Sequence, residues 1–442
     1  PPVDVRDELG HTALHVCAVH DSAAVAAVLI QASAAVDALC DPPGGGCGPD
    51  DETADSDCAE SLGAGQADIN AGVQPLQVRA ATAGIKTALH LAALHDSPEV
   101  AQVLLEAKAD VAACIKGVEG AVTPLHECAN ADSARAAAVL AAAAAAAAEK
   151  AVPMLAAPQR EPLADRGGTD SNACGDDAKA DPLKHAGDVL DGSQGEAEAE
   201  AVQWARFMDP LNAKLGLNGS TPLHMAAEND ARGVTEALLA AKADVNPVDD
   251  QGDTPVHCAV LYGSPGALAA LLACGCDAVL ENGSGELPLH LLAEFGPGGA
   301  GEEMPPNLAK RHFAKSIKAQ RVLVDALRSR GQLGQCLEHA ASGDNSNTAL
   351  HAVARWDHLG AESAARLLAE ARADLERRNA EGRTPMMVAL RRYGPRGRVA
   401  AALRELGARE PPPEAVDPLA GALGGCVRPL VWPLGGGAEA AA

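Results

Sequence analysis

Half of the histidines in this sequence close one recurring tetrapeptide, and several have a cysteine beside them, the pairing that metal sites use. The clear copies are Thr12-Ala13-Leu14-His15, Thr87-Ala88-Leu89-His90, Thr123-Pro124-Leu125-His126, Thr221-Pro222-Leu223-His224 and Thr254-Pro255-Val256-His257. Weaker or later ones read Leu287-Pro288-Leu289-His290, Thr348-Ala349-Leu350-His351 and Thr384-Pro385-Met386-Met387. Cys17, Cys128 and Cys258 fall one or two residues after a motif histidine, so His15-x-Cys17 and His126-x-Cys128 have the form of ligand pairs. A zinc site gathers four ligands, whereas these histidines are spread at long intervals, and other copies carry Ala92 and Ala226 at the cysteine position. Cys274-Gly275-Cys276 and the group Cys40, Cys47 and Cys58 offer no CxxC pair and no histidine at zinc spacing. Structural rings and small apolar thiols are therefore expected, with no metal.

Other catalytic signatures are missing from the sequence. It has no GxxxxGK[ST] phosphate loop, no GxGxxG following a strand, no GxSxG elbow and no HExxH. Gly44-Gly45-Gly46-Cys47-Gly48 is glycine-rich but sits among acids that would repel phosphate. No residue stands out as nucleophile, base or cofactor ligand, so a protein that is not an enzyme and uses no cofactor is expected.

The elements that carry the tetrapeptide follow from its period, since 254 − 221 and 287 − 254 are both 33. Threonine is a good helix N-cap, and proline suits the first helical position, where its missing N–H is not needed. After Thr221-Pro222-Leu223-His224 come Met225-Ala226-Ala227, then Ala237-Leu238-Leu239, Ala243-Asp244-Val245-Asn246 and Gly252-Asp253-Thr254. The alanines let two helices approach, the leucine pair gives the second helix an inner face, and Gly252 permits a tight connecting turn. This 33-residue pattern resembles the ankyrin-repeat family. The resemblance implies an all-α ankyrin-repeat solenoid of up to eight helix-turn-helix units with β-hairpin-like fingers, in which threonine hydroxyl and histidine ring stitch adjacent turns together.

The longer intervals exceed 33 by 75 − 33 = 42, 98 − 33 = 65 and 61 − 33 = 28 residues, which measures three insertions. Repeat 1 is accordingly expected over 1–37, an acidic Gly- and Cys-containing disordered insert over 38–80, and repeats 2 and 3 over 81–148. An acidic disordered linker follows over 149–210, then repeats 4 to 8 over 211–409 with a basic helical insertion near 302–345, and a Pro/Gly-rich tail over 410–442. Loop closure costs grow slowly with length, so one continuous stack is possible, and a break at the longest insert is the alternative.

Charge excludes one class of function. With 35 Lys and Arg against 60 Asp and Glu the chain carries −25, which argues against a nucleic-acid partner. Residues 38–72 hold eight acids and no base, and 149–210 hold 13 acids against 6 bases, so the inserts carry −8 − 7 = −15 of that total. No segment reaches the roughly 18 apolar residues of a membrane span. Twelve cysteines in so long a chain do not make a disulfide scaffold, and free thiols point to an intracellular, cytoplasmic protein. The sequence opens at Pro1 without a methionine, which leaves a targeting signal open.

Aromatic residues number only eight, and four of them lie at or beside one column, five residues after each motif histidine. The column reads His20, His95, Ala131, Asn229, Tyr262, Phe295 and Trp356, and in the last copy Arg392, flanked by Arg391 and Tyr393. In ankyrin arrays that end of the first helix and the adjoining finger form the concave binding surface, and aromatics with arginine are frequent interface anchors. A partner-binding stripe is thus expected from Asn229, Tyr262, Phe295, Trp356, Arg391, Arg392 and Tyr393, with Asp250 and Asp253 on the fingers beside it. The competing reading is packing of one repeat on the next. Lys310 to Arg330, with seven bases and one acid, reads as a basic amphipathic helix, either the extended second helix of repeat 6 or, as such helices can be, a calmodulin target or membrane-surface element. The expected function is that of a monomeric scaffold or adaptor for other proteins. The alternative is a regulatory or substrate-recruiting array of a larger enzyme or channel.

Overall fold

The computed structural model describes residues 3–7, 10–40, 86–115, 122–155, 209–216, 218–294, 306–343 and 345–411. Residues 41–80 of the expected disordered insert, most of the linker, the tail beyond 411 and Phe295 lie outside the described residues, and the insert's first residues include Leu39, which bridges to Thr87.

Each tetrapeptide starts a helix, and the reason is local. The threonine takes an extended conformation as N-cap, and its hydroxyl and the histidine ring form a reciprocal capping box, with histidine in the place glutamate often holds. The short first helices are α1 (Ala13–Val19), α3 (Ala88–Leu94), α5 (Pro124–Ala131), α7 (Pro222–Glu228), α9 (Pro255–Leu261), α13 (Ala349–Ala354) and α15 (Pro385–Tyr393). Repeat 6 begins at Leu287, which has no hydroxyl to cap with, and its first helix is a 3₁₀ turn over Pro288–Ala293.

The second helices are α2 (Ala23–Gln31), α4 (Pro98–Glu106), α6 (Ala134–Leu155), α8 (Arg232–Ala240), α10 (Pro265–Ala273), α11 (Pro306–Ser329), α14 (Leu359–Glu370) and α16 (Arg398–Glu405), with a short α12 (Leu333–Glu338) after α11. A left-handed residue turns the chain between the two helices: Asp21, Asp96, Asp132 and Asp230 in repeats 1 to 4, and Gly263 in repeat 5. Aspartate tolerates that conformation better than most side chains.

First helices stack on first helices and second on second, giving two layers with a core of motif leucines and small residues between them. Leu14, Leu89, Leu125, Leu223 and Leu289 are fully buried, as are Ala92, Ala226 and Ala259. Leu238 of the leucine pair points inward, whereas Leu239 is only half-buried. Fingers join by single backbone bonds, Asp250 N–H to Asn218 O (3.1 Å), Gly283 N–H to Gln251 O (2.9 Å) and Ala380 N–H to Asn345 O (2.8 Å). The described residues contain one isolated antiparallel bridge, Leu39 to Thr87, and otherwise helices and turns.

Two helices outrun the repeat pattern. α6 continues to Leu155, taking in the first residues assigned above to the linker, because its alanine run has the highest helix propensity. The basic segment is α11, the second helix of repeat 6, with Leu323, Val324 and Leu327 buried and Lys315, Lys318 and Arg321 exposed. Across the longest insert α5 packs on α7 and α6 on α8, so the eight repeats stack as one array.

Candidate partner surface

The histidines occupy the interior. In the six Thr-motif copies that end in histidine, Nδ1 accepts from the threonine backbone N–H and lies 2.8–2.9 Å from its hydroxyl, so the ring proton is assigned to Nε2. In five of them Nε2 then donates to the carbonyl just ahead of the next repeat's motif: His15 to Lys86 (3.2 Å), His90 to Val122 (3.2 Å), His224 to Asp253 (3.0 Å), His257 to Glu286 (3.1 Å) and His351 to Arg383 (3.0 Å). At His126 and His290, which precede the 65- and 28-residue insertions, the Ser220 and Asn347 carbonyls still raise the ring pKa, but Nε2 completes no hydrogen bond of good geometry. Burial holds His90, His126, His257 and His290 down at about 4, so these rings stay neutral. Cys128 and Cys258 are buried beside them, and burial pushes both thiols up, away from the thiolate a metal or nucleophile needs.

The column residues lie at the other end of the first helices. Asn229 and Tyr262 are the C-caps of α7 and α9. The Asn229 amide reaches back to Ala129 O of repeat 3 (3.4 Å) as well as to Met225 O (3.1 Å). Tyr262 is half-buried against the core, and burial and then the Glu228 carboxylate push its hydroxyl up. Trp356 is half-buried, and the Arg392 guanidinium lies 6.0 Å from both its ring and that of Tyr393, close enough for cation–π attraction. Tyr393 donates its hydroxyl to Arg355 O of repeat 7 (2.9 Å). Trp356, Arg392 and Tyr393 thus form one cluster, extended by His358 (6.3 Å from Trp356) and Phe313 stacked on it at 5.6 Å. Arg391 and Arg392 are exposed, as is Asp250. Asp253 is 8% exposed and accepts from the Asn282 amide (2.8 Å), so its carboxylate is committed to the finger interior.

Charge changes sign along this surface. In repeats 4 and 5 it carries Asp249 and Asp250, whereas burial and then Asp249 push the Glu228 carboxyl up to about 7, so that it holds only part of a negative charge. In repeats 7 and 8 the same edge carries Arg355, Arg391 and Arg392.

Sequence reasoning missed two sets of residues. Six positions after the motif histidine, Asp21, Asp96, Asp230 and Asp357 accept backbone N–H groups at the start of the next repeat's second helix, Val100 (3.1 Å), Ala136 (2.9 Å), Gly266 (2.7 Å) and Val399 (3.2 Å). The fixed spacing was a visible signal, and carboxylates suit helix N-termini. The second is a buried ion pair between Lys86 Nζ and Glu127 Oε1 (3.0 Å), bridging the edge of repeat 2 to α5. Burial pushes the Glu127 carboxyl up, against the opposing pull of the Lys86 ammonium beside it.

Comparison with known proteins agrees with this architecture. Residues 196–282 match the family model for ankyrin repeats (3 copies), and residues 86–116 match the ankyrin repeat. Among solved structures, the ankyrin repeat domain of human ASB11 is similar at 17% identity and a TM-score of 0.38, covering 91% of this chain and 100% of that one. No curated protein matches. The chain contains ankyrin repeats, and such repeats are in general protein–protein interaction modules. No helix among the described residues is long and apolar enough to cross a membrane.

Proposed function

We propose that this chain is a non-catalytic scaffold or adaptor that holds a segment of a partner protein along the concave edge of repeats 4 to 8. The observation that carries the reading is the Trp356, Arg392 and Tyr393 cluster, where scarce aromatics and exposed guanidinium groups meet. The sign change along the edge supports a partner with acids facing Arg391 and Arg392 and bases facing Asp250. Phe295 would extend the stripe from repeat 6. The acidic central surface disfavours nucleic acid, and a monomer in an intracellular compartment fits the free thiols.

The test is capture of partners from cell extract with the full chain and with Trp356→Ala and Arg392→Glu variants, read by quantitative mass spectrometry, alongside thermal melts of each. Anchoring predicts partners lost from both variants at near-parental melting temperature. If Trp356→Ala instead lowers the melting temperature and keeps the same partners at the same affinity, the rings serve inter-repeat packing and the proposal fails.

A further inference from the structure

The seven junctions of the array are tied unequally. Two polar ties recur: the histidine Nε2 bond to the next repeat, and the aspartate that accepts from the next repeat's second helix. Junctions 1/2, 2/3, 4/5 and 7/8 have both. At junction 3/4 the histidine tie is weakened and the aspartate tie is missing: His126 Nε2 faces the Ser220 carbonyl without a hydrogen bond of good geometry, and among the described residues no hydrogen bond reaches the Asp132 carboxylate from α8. What joins repeats 3 and 4 is apolar packing of α5 on α7 and α6 on α8, together with the long Asn229 bond to Ala129 O. Apolar contact is non-directional, whereas hydrogen bonds fix distance and angle.

Junctions 5/6 and 6/7 also lack one or both recurring ties, and α11 replaces them. Its 24 residues compare with nine in α8 and α10, so its N-terminal part overhangs the helix tips. From there Lys315 Nζ approaches Asp230 of repeat 4 (3.4 Å), and Ser316 lies so close over Gly263 of repeat 5 that a Cβ there would sit 3.0 Å from the serine Cα. The buried Gln320 amide donates to Leu292 O of repeat 6 (2.9 Å) and Gly360 O of repeat 7 (3.1 Å). Phe313 stacks on His358, whose Nε2 lies 2.9 Å from Ala293 O. One helix therefore touches four successive repeats.

We propose that α11 is a strap that binds repeats 4 to 7 into one rigid body, and that the array bends at the junction between repeats 3 and 4. Repeats 1 to 3 then form an arm that can reorient against the body bearing the Trp356 cluster, so two surfaces can meet one partner at variable angles.

Two measurements on the full chain test this. Single-molecule energy transfer between dyes on unnatural residues at Glu99 and Glu236 spans the 3/4 junction, and a pair at Glu236 and Glu370 spans the strapped body. A distance distribution at least twice as broad for the first pair is expected, and equal widths would overturn the proposal. In hydrogen exchange, Phe313→Ala with Gln320→Ala should cut protection of α7 to α10 by about tenfold and leave α1 to α4 unchanged. Equal loss in both sets, or no loss in α7 to α10, would refute the strap.

Discussion

Acid should destabilise this array through its neutral histidines. A ring held at about 4 in the folded chain against an ordinary 6.5 binds fewer protons folded than unfolded. Its contribution is therefore complete above about pH 6.5 and is lost as pH falls from there toward about 4. At about pH 5.5 the unfolded ring is some tenfold protonated and the folded ring hardly at all, which is about 1.4 kcal/mol per ring and roughly 5 to 6 kcal/mol for His90, His126, His257 and His290 together. Carboxyls raised by burial, Glu127, Asp132, Asp253 and Glu228, work in the opposite sense. Glu228, raised to about 7 from 4.5, binds more protons folded, so its burial becomes less unfavourable in acid and offsets at most about 2 kcal/mol. Against Glu228 alone the balance is a loss of about 3 to 4 kcal/mol, a large part of the 5 to 15 kcal/mol that a typical folded protein has. Urea unfolding followed by circular dichroism at pH 7.5, 6.5 and 5.5 measures it, with Glu228→Gln as a second protein in which the Glu228 part of the offset is gone and the decline steeper. A midpoint that stays level or rises between pH 7.5 and 5.5 in Glu228→Gln would refute the assignment of these rings as buried neutral donors.

Other perturbations follow from single contacts. Glu127→Ala leaves the Lys86 ammonium buried and unpaired and should cost about 3 to 5 kcal/mol in urea unfolding, whereas Lys86→Met with Glu127→Leu should stay near the parent. Gly233→Val should loosen repeats 3 and 4, because even a Cβ at Gly233 would sit 2.5 Å from that of Ala134; differential exchange of α6 and α8 with a cost of about 1 to 3 kcal/mol is expected. Asp96→Ala removes the acceptor for Arg135 and Ala136 N–H at the start of α6 and should lower stability by about 1 kcal/mol, read as a shift in the urea midpoint.

Much of the fold was legible because each repeat writes its own helix start. Threonine, a small residue or proline, leucine and histidine specify cap, first turn, core and reciprocal cap within four positions, all of them local interactions. What spacing could not specify is the second bond of each ring. Its acceptor lies 71 residues away for His15 and 29 for His224, at a carbonyl chosen only by stacking. For the same reason the incomplete Nε2 bond of His126 and His290 was invisible in a motif that is intact at both. α6 outran its expected end because alanine propensity carries a helix past the point where the repeat pattern stops.

The column at the end of the first helices was harder, because the same side chains serve cohesion and recognition. Asn229 and Tyr393 each bond to a carbonyl of the preceding repeat, so a polar atom that sequence alone assigns to a partner already holds the stack together. Trp356 and Arg392 differ, for the guanidinium over the ring fixes the indole plane without using any backbone group, and both charges beside it stay in water. A partner carboxylate can approach such an arginine without breaking an inter-repeat bond, whereas approach at Asn229 or Asp253 must compete with one. On the proposed reading, recognition would concentrate where cohesion is carried by other groups: the carboxylate of Asp357 at the start of α16, the His351 ring and the contact of Phe313 with His358.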